Sequence, residues 1–145
     1  MQENDKSLSL IQGLGFEEAG YWFLENGEIS FKLYKSQKAT NILYAFVVEG
    51  VVKYLGKSTQ SLSKRMYLYK KCGPSQRTNL RNHAQIKASL EQGQTVRIFA
   101  FIQKEIMEYK GIPINLAAGL EDTLISQLRP NWNIAGINEN EKEKQ

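Results

Sequence analysis

Histidine and cysteine are nearly absent: His83 and Cys72 each occur once in 145 residues. A lone cysteine cannot close an intrachain disulfide, and neither residue type can build a zinc cluster. A His-rich metal site is excluded for the same reason. Any metal must then be held mainly by oxygen, which favours Mg²⁺ or Mn²⁺. Long apolar runs are missing as well, and none nears the roughly 18 residues that suggest a membrane span. The start, MQENDKSLSL, has neither the basic opening nor the apolar stretch of a secretion signal. These absences point to a cytoplasmic address and no membrane partner. The length suits one domain, and 41% hydrophobic with 23% charged residues suits a chain that closes one core.

Acidic residues are missing from one particular place. Between Gly50 and Leu90 there is no Asp or Glu, but there are nine cations: Lys53, Lys57, Lys64, Arg65, Lys70, Lys71, Arg77, Arg81 and Lys87. The rest of the chain holds the other 10 basic and all 15 acidic residues, so the two parts carry +9 and −5. A one-sided field of this kind attracts polyanions and speeds their encounter.

Residues 7–12 read as a short helix. Residues 21–35 read as a hairpin turning at Asn26-Gly27. A second hairpin joins 42–48 to 51–56. Ser58 or Ser61 can cap a helix running to about Lys71, on which Leu62, Met66 and Tyr69 recur at helical spacing. A second basic helix runs from about Gln76 to Gln92 and presents Leu80, Ala84 and Leu90. A strand over 95–102 and a helix over 114–128 follow, the latter stopped by Pro130. The expected class is α+β, a small and largely antiparallel sheet flanked by helices. The expected organisation is an N-terminal helix and hairpin over 1–40 packed on a core over 41–136. A basic helical insert at 70–92 interrupts that core, and a flexible tail fills 137–145.

Three places could carry chemistry. In the second hairpin, a two-residue loop at Glu49-Gly50 pairs Val48 with Val51 and puts Tyr44 and Tyr54 on opposite faces. A three-residue loop pairs Val47 with Val51 and sets Tyr44 directly across from Tyr54. The second is preferred, because Gly50 supplies the left-handed residue that it needs. An aromatic pair that only stabilises the sheet is the plainer reading. Arg65 lies three residues after Leu62, at the border of the apolar stripe. There its guanidinium can reach the tyrosine face and grip a phosphate, or it can form an ordinary ion pair. Glu121 falls within the apolar face formed by Ala117, Leu120, Leu124, Ile125 and Leu128. A carboxylate in that position needs a metal or a cationic partner.

Taken in order, NILYAFVV, VKYLGKS, the SLSKR helix and GLEDTLISQLRPNWN resemble the GIY-YIG nuclease module over roughly residues 41–135. The likeness is nearest its phage and restriction endonuclease branches. Ile42-Leu43-Tyr44 stands where Gly-Ile-Tyr is usual and keeps only the tyrosine, whereas Tyr54-Leu55-Gly56 is a conservative second motif. The resemblance implies a metal-dependent endonuclease acting on double-stranded DNA, with Glu121 holding a single Mg²⁺, Mn²⁺ being a possible substitute. It further implies that Tyr44, its pKa lowered by nearby cations, takes a proton from the attacking water. Tyr54 would support it, Arg65 would stabilise growing negative charge, and Lys57 would contact phosphate. Gly56 and Asn133 would be structural. Lys64, Lys70, Lys71, Arg77, Arg81 and Lys87 would meet the DNA backbone, with His83 packing or touching phosphate. Double-strand cleavage needs two sites, so a homodimer or homotetramer is expected. Two alternatives stay open: a catalytically inactive nucleic-acid-binding protein of the same fold, and an interaction protein whose basic face takes an acidic partner.

Overall fold

The computed structural model describes residues 5–135; the expected tail at 137–145 lies outside the described residues. Helix α1 (Ser7–Leu14) opens the chain, followed by strands β1 (Glu17–Glu25), β2 (Glu28–Leu33), β3 (Ile42–Val48) and β4 (Val51–Ser58). Helices α2 (Leu62–Lys70) and α3 (Arg77–Glu91) come next, then β5 (Val96–Phe101). A small hairpin, β6 (Met107–Tyr109) with β7 (Ile112–Ile114), precedes α4 (Leu116–Leu128).

Five strands form one antiparallel sheet in the order β2-β1-β5-β3-β4. The N-terminal hairpin continues this sheet, because β1 pairs with β5. Its turn is the expected one: Glu25 faces Glu28, and Asn26 and Gly27 both take positive φ, 53° and 79°, which matches the twist of the flanking strands. Helices cover both faces. On one face Tyr44, Phe46, Val48, Ile98 and Trp22 pack with Leu62, Met66 and Tyr69 of α2 and Ile86 of α3. On the other, Leu43, Ala45, Val47, Leu55, Phe99 and Phe101 pack with Ile11 of α1 and with Ala117 and Leu124 of α4. Coverage on both sides explains why β3 is apolar and buried throughout, where a half-exposed strand would alternate.

Ser61 is the cap of α2, its side chain accepting from the Lys64 amide at 3.2 Å. The buried face of α3 differs from the expected one. Leu80 is 38% exposed and Ala84 is exposed, while Asn79, Asn82 and Ile86 are buried. Of the expected residues Leu90 does pack against the core, beside Ile86, and His83 adds a polar contact with α2, developed below.

The C-terminal segment wraps the edge strand β4. Asn133 accepts from the Leu55 amide and donates to the Leu55 carbonyl, each at 2.9 Å. An open edge exposes unpaired backbone groups, and here one side chain satisfies both groups of one residue. The adjacent Trp132 is buried against Phe46, with ring centroids 6.4 Å apart.

Candidate active site

The second hairpin does not turn as expected. Its loop has two residues: Val48 pairs with Val51, and Glu49 and Gly50 take φ of 48° and 79°. Glu49 is held in this left-handed conformation by its own carboxylate, which accepts from the Thr95 amide at 2.8 Å. A two-residue turn alone would separate the tyrosines, but the register shifts between Phe46 and Val47. Val47 pairs with Val52 and Phe46 with Tyr54, leaving Lys53 as the extra residue of a bulge. The bulge restores the parity that the turn removed. Tyr44 therefore sits across from Gly56, not Tyr54, and the two phenols share a face as diagonal neighbours with ring centroids 6.2 Å apart.

Gly56 makes this arrangement possible. A Cβ there would lie 2.6 Å from Tyr44 Oη, 2.7 Å from Tyr44 Cζ and 3.0 Å from Tyr54 Cε2. The glycine is needed for space: the Tyr44 ring lies over its backbone.

Arg65 reaches this face from α2. Its Nε donates to Tyr44 Oη at 3.1 Å and its Nη2 to Tyr69 Oη at 3.0 Å. The two phenol oxygens are 2.6 Å apart and share a hydrogen bond. The guanidinium carbon lies 4.3 Å from the Tyr69 ring centroid, a cation–π contact. Tyr69 was legible in the sequence only as part of the apolar stripe. Its place one turn after Arg65, at i+4, was the available signal that both side chains meet one partner.

The electrostatics correct one expectation. Tyr44 is fully buried, and burial raises its pKa above the usual phenol range. Tyr54 nearby raises it further, and Arg65 and the hydrogen bonds only partly offset this. Tyr44 is therefore a protonated, solvent-excluded hydrogen-bonding group, not a phenol activated by cations. Burial raises Tyr69 and Tyr54 in the same way, although Tyr54 is only half-buried. For Arg65, burial would lower the pKa, but the Tyr44 and Tyr69 phenols outweigh it and the cation is reinforced.

Glu121 is carried by a different element. It lies on α4, on the other side of the sheet, half-buried beside Lys57 of the edge strand β4. Burial raises its pKa; the Lys57 charge and backbone N–H pull it down, while Asp122 pushes it up. The structure thus gathers Tyr44, Tyr54 and Arg65 on one face. It places Glu121 and Lys57 on the opposite side, at the strand whose rim borders both. No group of three or more His, Cys, Asp or Glu residues suited to a metal occurs among the described residues.

The basic residues divide likewise. Lys64, Lys71 and Arg77 are exposed on the paired helices α2 and α3, and Arg81 and Lys87 are half-buried there. Lys70 instead donates to Ser30 Oγ at 3.2 Å. His83 Nδ1 meets the Tyr69 carbonyl at 2.7 Å, which makes it a tie between the two helices.

No model of a known protein family matches the sequence, and no curated protein sequence matches it. Solved structures do share the fold. A Glu-to-Ala mutant of bacteriophage T4 EndoII superposes with a TM-score of 0.65 at 22% identity, covering 86% of this chain and 95% of that one. Restriction endonuclease HPY188I in complex with product DNA superposes with a TM-score of 0.52 at 17% identity, covering 81% and 78%. At these identities the likeness is one of fold.

Proposed function

We propose that this chain is a metal-dependent DNA endonuclease of the GIY-YIG type, hydrolysing phosphodiester bonds by water attack. The observation that carries this reading is the Tyr44–Arg65–Tyr69 network. A half-buried guanidinium is held by two phenol oxygens beside the basic stretch that carries no acid from Gly50 to Leu90, on a fold that two endonucleases share. A cation fixed in this way is preorganised for negative charge that grows on a phosphate, and such fixed charges commonly contribute 10²–10³ in rate. The tyrosines hold the fork in place, and its remaining N–H donors suit a phosphate oxygen.

Tyr54 is the phenol placed to meet the attacking water. Tyr44 and Tyr69 are 1% and 0% exposed, whereas Tyr54 retains solvent access. Tyr44 orients Arg65; burial keeps the Tyr54 phenol protonated as well, so Tyr54 orients the water rather than taking its proton. Lys57, exposed on β4, is positioned to bind phosphate at the rim. Lys64, Lys71, Arg77, Arg81 and Lys87 line the path of the backbone along α2 and α3.

Glu121 fits the role of lone protein ligand to a divalent cation. Burial disfavours its ionised form, and a bound cation would reverse that preference. One carboxylate with water and phosphate oxygens suits Mg²⁺, with Mn²⁺ able to substitute. When bound, the ion would supply Lewis acidity at the phosphate. Two active sites on one duplex would require a dimer or tetramer.

The test is incubation with supercoiled plasmid in Mg²⁺, in Mn²⁺ and in EDTA, alongside Glu121→Ala. Relaxation or linearisation that needs the metal and fails in the variant is expected. Equal cutting by both proteins would remove Glu121 from the site. An intact plasmid that is nonetheless bound would favour the inactive nucleic-acid-binding alternative.

A further inference from the structure

Asn82 lies in the middle of α3 and is 0% exposed. Neither its Oδ1 nor its Nδ2 makes a hydrogen bond of good geometry. A buried amide left poorly paired is costly, and such groups persist in folded proteins for a specific reason. Its position supplies one. The next residue, His83, is tied to the Tyr69 carbonyl at 2.7 Å, which docks this turn of α3 on the C-terminal half of α2. Asn82 then lies beside the Tyr54 and Tyr69 hydroxyls: burial raises both phenols, and a loose hydrogen bond from the Asn82 amide pulls each part of the way back.

Proton counting identifies what the amide could complete. Arg65 donates to Tyr44 Oη and Tyr69 Oη, and those oxygens share one hydrogen bond. Of their two phenolic protons, one is used between them and the other is not; the Tyr54 proton is a third. An amide offers an acceptor and two donors in one plane, enough to take one hydroxyl proton and donate to a neighbouring oxygen. An apolar side chain would avoid the cost of burying an amide whose hydrogen bonds are poor.

We propose that Asn82 is a positioning residue for the cleavage reaction, its amide setting the direction of the Tyr54 and Tyr69 hydroxyls. The proposal rests on the nuclease reading, and it links the helix bearing Arg77, Arg81 and Lys87 to the phenols through one side chain.

The test compares wild type with Asn82→Leu. Thermal melting and DNA binding are measured with single-turnover plasmid cleavage and the ¹³Cζ resonances of labelled tyrosines. Asn82→Leu should melt at or above the wild-type temperature and bind DNA within about threefold. Cleavage should fall at least about tenfold, and the Tyr54 and Tyr69 resonances should move while those of exposed Tyr21 and Tyr109 stay. Unmoved resonances, or cleavage within about twofold of wild type, would overturn the proposal. A wild type that does not cut DNA defeats the nuclease reading instead, and the resonances still report whether Asn82 orients the phenols. Should the leucine variant not fold, Asn82→Ser and Asn82→Ala replace it. Serine keeps a hydroxyl and must retain more cleavage and more of the wild-type resonance pattern than alanine; equal loss would refute the role.

Discussion

Substituting Gly56 by alanine adds one methyl group between β4 and the ring of Tyr44. The new Cβ would stand 2.6 Å from Tyr44 Oη and 2.7 Å from Cζ, about 1 Å closer than carbon tolerates in ordinary packing. The ring cannot yield freely, because its oxygen is bonded to Tyr69 at 2.6 Å and to Arg65 at 3.1 Å. Overpacking of this kind costs about 1–3 kcal/mol. Displacing a buried hydroxyl from its partners adds about 1–3 kcal/mol. The sum is about 2–6 kcal/mol, which for a chain of this size lowers Tm by about 6–18 °C. The assay is thermal and urea unfolding of Gly56→Ala in wild-type and Tyr44→Phe backgrounds. Phenylalanine frees the ring from Arg65 and Tyr69, so alanine should cost less there, with a coupling of about 1 kcal/mol or more. A Tm within about 2 °C of wild type would refute the reasoning, as would an equal cost in both backgrounds.

Two further substitutions follow from the same geometry. Asn133→Ala removes both hydrogen bonds to Leu55 and reopens the edge of β4. A loss of about 1–3 kcal/mol is expected by urea unfolding, and a change below about 0.3 kcal/mol would mean that water replaces the side chain at no cost. For Glu121, burial raises the folded-state pKa above the ordinary 4.5. The stability linked to its protonated form is complete below that unfolded value and is lost as pH rises through the folded value. Glu121→Gln should therefore be more stable than wild type at neutral pH without metal, and the difference should shrink as pH falls towards 4.5. A pH-independent difference between the two urea midpoints would contradict this.

The first hairpin, the cap and apolar stripe of α2, and the antiparallel α+β class could all be read from local chemistry. Each depends on neighbours close in sequence: a turn dipeptide, a serine three residues ahead of an amide, a repeat of 3.6. The bulge at Lys53 could not, because it is a mismatch between two strands settled by packing from both faces of β3. The expectation that Tyr44 and Tyr54 share a face was met by a different route, since the turn has two residues and the bulge restores the parity. The orientation of α3 was hidden because periodicity counts apolar residues, and this helix buries Asn79 and Asn82. For Glu121 the apolar stripe showed that the carboxylate faces inward but not which side of the sheet it meets. That depends on where the chain crosses after β5, which no local pattern records.

Arg65 is the centre of the proposed site. It is the one cation held by both buried phenols, so its fork should matter more than its charge. Arg65→Lys keeps the charge but cannot reproduce two directed N–H bonds from one planar group. Single-turnover cleavage of supercoiled plasmid in Mg²⁺ should fall by about 10²-fold or more in Arg65→Lys, with DNA binding retained within about threefold. Cleavage by Arg65→Lys at the wild-type rate would contradict the claim that the Tyr44–Arg65–Tyr69 network is the phosphate site.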